Sequence, residues 1–65
     1  MNEQATNAFM DRIGLAEQLA AAIIANLDDH MGVDPDHVQW GHVGNVNHVI
    51  ENLLEVADFM GIEYT

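Results

Sequence analysis

Histidine and aspartate side chains are concentrated in one part of the sequence, between residues 28 and 42. The group consists of His30, Asp34, His37 and His42, with Asp28, Asp29 and Asp36 beside them. Zinc, nickel and manganese all accept imidazole or carboxylate ligands. A small metal-binding protein that uses this His/Asp-rich linker is therefore one hypothesis for the function.

The spacing of these residues does not match a familiar metal motif. No two histidines stand four residues apart on a predicted helix, and no HExxH sequence is present. His48 and Glu51 have the reverse order of the Glu-x-x-His motif of di-iron bundles. His30 has a structural explanation, because it would lie in the last turn of a helix, at the negative end of the dipole. We expect no metal or other cofactor and keep metal binding as an alternative.

Few residues in this chain could carry out catalysis. The sequence contains no Ser, Lys or Cys, so most covalent mechanisms lack a nucleophile. Pairs of carboxylates could act as acid and base, but so small a bundle offers no predicted cleft or oxyanion site. We expect the protein not to be an enzyme.

Negative charge dominates the composition. Eleven Asp and Glu residues face one Arg, which gives a formal net charge of −10. Direct binding of nucleic acid or anionic lipid is disfavoured, because phosphate contacts depend on cationic side chains. The classes of partner that this charge leaves open are basic proteins and metal cations. No apolar run is long enough to cross a membrane, and no export signal is recognisable, so we expect a cytoplasmic protein.

The strongest functional hypothesis concerns the acidic residues of the second half. Glu51, Glu55 and Asp58 follow the i, i+4, i+7 spacing of one helix face, where like charges cost a few tenths of a kcal/mol each. The predicted partner-binding residues are Asp28, Asp29, Glu51, Glu55, Asp58 and Phe59. They indicate a non-enzymatic interaction module that binds a basic protein surface, as a nucleic-acid mimic or inhibitor would.

Other interpretations of the same features stay open. The acidic face could serve solely to keep an apolar-rich protein in solution. Alternatively, the chain could be a purely structural bundle in a larger assembly. Phe59 falls on the polar side of its helix, where it either contacts a partner or lies under the tail 63–65. Trp40 either closes the end of the bundle or serves as an exposed anchor for a partner.

The elements that position these residues are two amphipathic helices. Apolar residues recur at spacings of three and four over residues 4–31 and again over 42–60. Gly32 and Gly61 follow these runs, where a left-handed residue can end a helix. In the linker, 32–41, Asp34 and Pro35 predict the start of a short helical turn that reaches Trp40. Residues 61–65 form a tail.

The expected architecture is an all-α antiparallel helical hairpin that forms a single domain over residues 1–65. A chain of this length buries only about 60% of the surface its unfolded form exposes, and disulfides are excluded. The apolar stripes are also wider than one neighbouring helix can cover. We therefore predict a homodimer that forms a four-helix bundle, with a dimer core of Leu15, Leu19, Ile23, Val49, Leu53 and Val56.

Overall fold

The protein is all-helical in residues 2–64, the part of the chain that the computed structural model describes. Helix α1 (Glu3–Asp28) and helix α2 (Trp40–Phe59) are joined through two short 3₁₀ turns, His30–Gly32 and Pro35–His37, and no strand occurs in these residues. This confirms the predicted all-α class. The chain divides after Gly32 into two units, one containing α1 and the other containing α2. Thr65, the last residue of the predicted tail, lies outside the described residues.

Asn2 fixes the start of α1. Its side-chain oxygen accepts a hydrogen bond from the Ala5 backbone N–H at 3.0 Å, which satisfies one of the free donors at the helix N-terminus. The Thr6 hydroxyl donates to the Asn2 carbonyl at 3.1 Å. The helix then continues for 26 residues and runs through Gly14 without a break.

The C-terminus of α1 differs from the prediction, because the helix ends at Asp28 rather than at Met31. Asp29 caps it, and the next three residues have positive φ angles of 57° (His30), 55° (Met31) and 77° (Gly32). Left-handed backbone costs non-glycine residues about 1–2 kcal/mol each. Asp28 and Asp29 stand at the negative end of the helix dipole, an unfavourable place for carboxylates, so charge does not account for the early end of the helix. His30 lies beyond the last turn, not in it.

The second 3₁₀ turn begins as the sequence predicts, with Asp34 as its cap and Pro35 at its first position. One carboxylate oxygen of Asp34 accepts from the Asp36 N–H at 3.0 Å, and the other accepts from His37 Nδ1 at 3.0 Å. The turn ends at His37, three residues before the predicted end at Trp40.

Helix α2 begins at Trp40 rather than at His42. Gln39 is the N-cap residue, and His42 Nδ1 accepts a hydrogen bond from the Gln39 backbone N–H at 3.0 Å. The Gln39 carbonyl in turn accepts from the His42 N–H at 2.9 Å. The bond from the Gln39 N–H to the His42 side chain is one half of a capping box, the half in which the third residue of the helix bonds back to the N-cap residue. Gly41, expected to separate turn and helix, is part of the first turn of α2.

The end of α2 follows the prediction closely. The helix stops at Phe59, and Gly61 has φ +76°. The Gly61 N–H donates to the Asp58 carbonyl at 3.1 Å, and the Ile62 N–H donates to the Ala57 carbonyl at 2.9 Å. These two hydrogen bonds form a Schellman motif, which needs a left-handed residue at the position of Gly61.

The apolar stripe of each helix is open to solvent, since no residue in 2–64 is buried. Ile23 on α1 and Leu53 on α2, both predicted for a dimer core, are each 41% exposed. A single helix has no interior, so its apolar face can be buried only by a further surface.

Removing the His42 acceptor is expected to destabilise the start of α2. His42→Ala leaves the Gln39 N–H without its partner, and the loss of such a cap costs about 0.5–1 kcal/mol. His42→Gln keeps an acceptor of the type found in capping boxes and should stay near the wild type. Urea unfolding followed by circular dichroism measures both, with His48→Ala as the mid-helix control. Equal losses for His42→Ala and His42→Gln would contradict a capping role for His42.

Candidate protein-interaction surface

Three carboxylates form an acidic strip along α2, which we define as Glu51, Glu55 and Asp58. All three residues lie within the helix and are exposed. Their spacing of four and three residues places them about 6 Å and 4.5 Å apart along the helix axis, on one side of α2. The strip is thus a row of negative charge that faces water.

No cation of the described residues compensates the acidic strip. Within residues 2–64 an ion-pair distance is found for His37 and Asp34, and for no carboxylate of α1 or α2. Like charges one turn apart disfavour the helix by a few tenths of a kcal/mol per pair. The sequence therefore accepts a small cost in stability at the strip.

The two most exposed aromatic side chains of the described residues lie at the two ends of α2. Phe59 is 92% exposed and directly follows Asp58, so residues 62–64 do not cover it. This removes one of the two alternatives that the sequence left open for Phe59, as far as the described tail is concerned. Trp40 is 86% exposed. Its role as a lid on the end of a bundle stays a prediction, because that lid depends on an assembly.

The other predicted partner-binding residues, Asp28 and Asp29, belong to the unit that contains α1. Asp28 is the last residue of that helix and Asp29 is its C-cap, and both are exposed. They form a second acidic position, separate in the chain from the acidic strip.

Three of the four histidines, two of them candidate metal ligands, form local hydrogen bonds. His37 is hydrogen-bonded to Asp34, and His42 uses Nδ1 to cap α2. His48 Nε2 accepts from Asn52 Nδ2 at 3.2 Å. Throughout residues 2–64 no group of three His, Cys, Asp or Glu side chains is arranged to hold a metal ion. Within the second unit, the candidates Asp34, His37 and His42 are therefore not assembled into a site.

A groove that the sequence did not predict lies between the end of α2 and the tail. It has a volume of about 390 Å³, and its lining residues are Leu54, Ala57, Asp58, Ile62, Glu63 and Tyr64. The signal for it was present in Gly61, since the Schellman motif redirects the chain after the helix. The tail therefore meets the side of α2 that carries Leu54 and Ala57, not the side that carries Phe59.

Comparison of the chain with protein-family models, with curated proteins and with solved structures finds no match. Neither α1 nor α2 combines the length and the apolar character that a transmembrane helix needs.

Proposed function

We propose that this chain is a cytoplasmic, non-enzymatic interaction module whose acidic strip binds a basic protein surface. The observation that carries the proposal is the acidic strip itself, which is exposed and has no ion pair in the described residues. A basic partner supplies the cations that the chain lacks. Exposed ion pairs contribute about 0.2–1 kcal/mol each, so an apolar contact is needed as well. Phe59, next to Asp58, is suited to that contact.

The charge spacing of the acidic strip supports mimicry of nucleic acid. The three carboxylates are spaced on average about 5 Å apart along the helix axis, compared with about 3.4 Å per phosphate on one strand of duplex DNA. The strip thus resembles one backbone strand at lower charge density. The favoured partner is a protein with a basic groove for DNA or RNA, which this chain would block as an inhibitor.

The exposed apolar stripes support an assembly for the same module. We propose that α1 and α2 of one chain pair as an antiparallel hairpin, and that two hairpins dimerise into a four-helix bundle. Residues Leu15, Leu19, Ile23, Val49, Leu53 and Val56 would form the dimer core. In such a homodimer the two copies carry two acidic strips, which increases the number of contacts available to a basic partner.

A purely structural role in a larger assembly is the second candidate, and the same open apolar stripes favour it. In that case apolar positions rather than carboxylates mediate association. Binding of the partner would then be insensitive to salt, whereas contacts between exposed charges are screened at high ionic strength.

Removing two of the three charges of the acidic strip is expected to abolish capture of basic partners. The variant Glu51→Gln/Glu55→Gln removes two charges from α2, and Asp11→Asn/Glu17→Gln removes two from exposed positions of α1 as the matched control. Each protein is used for pull-downs from a lysate of the source organism at low and high salt, followed by mass spectrometry. Wild type and control should retain basic nucleic-acid-binding proteins at low salt only. Partners that survive high salt, or that both variants retain equally, would contradict the proposal.

The homodimer is tested by light scattering combined with size-exclusion chromatography. The wild type should have the mass of two chains, since dimerisation covers the apolar stripes. Leu53→Asp, on the stripe of α2, should give a monomer with reduced helix content, while Phe59→Asp, on the opposite side, should remain a dimer. A stable helical monomer of the wild-type chain would refute this assembly.

A further inference from the structure

The groove at the end of α2 combines two kinds of surface. Leu54, Ala57 and Ile62 provide apolar area, and Asp58 and Glu63 contribute carboxylates. Tyr64 adds an aromatic side chain that is 79% exposed. The volume of about 390 Å³ is at the small end of the range for ligand sites, which is roughly 300–1,000 Å³. Such a space suits one long side chain rather than a whole helix of a partner.

The electrostatics of the groove favour a cation. Its lining contains two carboxylates and no basic residue. The groove also lies at the C-terminus of α2, where the helix dipole contributes negative partial charge. An anionic group would meet repulsion from all these sources, while a cationic group would find each of them favourable.

We infer that this groove binds a single arginine side chain of the basic partner. The methylene stem of arginine would cover Leu54, Ala57 and Ile62, since long basic side chains bury their stems on apolar surface. The guanidinium would pair with Asp58 and Glu63, whose carboxylates match its planar donors. Tyr64 would stack on the guanidinium in a cation–π contact.

The inference rests on the proposed function, because it takes for granted that the partner is basic. Asp58 belongs both to the acidic strip and to the groove, so an arginine in the groove is continuous with cations along the strip. The groove adds selectivity, because the strip accepts any cation, whereas the combination of carboxylates and an aromatic side chain favours arginine over lysine.

The test is an NMR titration of the full chain with blocked pentapeptides that contain one Arg, Lys or citrulline between glycines. The changes in amide chemical shift on adding peptide should concentrate at residues 54, 57, 58 and 62–64. They should be largest for the Arg peptide and absent for the uncharged citrulline peptide. The variant Glu63→Gln/Tyr64→Ala, altered only in the tail, should reduce the Arg shifts at the remaining groove amides at least threefold. Asp11→Asn/Glu17→Gln, which removes two charges from the unit that contains α1 and leaves both the groove and the acidic strip intact, should not.

Several results would overturn the inference. These are equal shifts for Arg and citrulline, Arg shifts centred on Glu51 and Glu55, or no shifts because a second copy covers the groove. Shifts centred on the acidic strip would remove the groove site and leave the proposed function standing. Arginine binding in the groove without any loss of lysate partners from Glu51→Gln/Glu55→Gln would instead contradict the acidic strip.

Discussion

Repulsion between carboxylates that have no cationic partner is the constraint on which this structure depends. The chain has eleven acidic residues and one Arg, and in residues 2–64 no carboxylate of a helix is in an ion pair. Where a carboxylate has a bonded role, it caps a turn, as Asp34 does through Asp36 and His37. At the end of α1, Asp28 and Asp29 stand where the helix dipole is itself negative, and the helix stops there.

The apolar stripes and the acidic strip place opposite demands on the molecule. Covering Ile23 or Leu53 with a second helix removes apolar surface from water and stabilises the fold. Each added copy also brings ten more net negative charges, which opposes assembly at low ionic strength. The basic partner that we propose would relieve this opposition, because it would bind the folded form and neutralise the strip at once. In our account, stability of the bundle and binding of the partner are therefore linked.

Features with a local cause could be predicted from the sequence. The left-handed Gly61, the cap at Asp34 and the position of Pro35 each depend on two or three neighbouring residues, and such short-range rules are reliable. The end of α1 was missed because Met31 continues the apolar pattern, whereas the backbone is already left-handed at His30 and Met31. The start of α2 was missed because His42, an unusual capping residue, provides the acceptor.

Features that depend on several segments could not be predicted in the same way. The groove depends on the direction that the tail takes after Gly61. The spacing of apolar residues along the helices does not predict that direction. The position of Phe59 on the polar side of α2 could be predicted from the sequence. Whether the tail covers Phe59 could not. Trp40 shows the same limit, since its expected burial depended on an assembly and not on its own helix.

The most direct test of uncompensated charge is the dependence of stability on ionic strength. Urea unfolding at one fixed protein concentration, followed by circular dichroism, is measured from about 0.01 M to about 1 M NaCl, over which the Debye length falls from about 30 Å to about 3 Å. If the carboxylates repel one another without partners, the free energy of unfolding rises by about 1 kcal/mol or more, the sum of several like-charge terms of a few tenths each. A free energy that stays constant or falls with salt would show that the charges are already compensated, and would contradict the account.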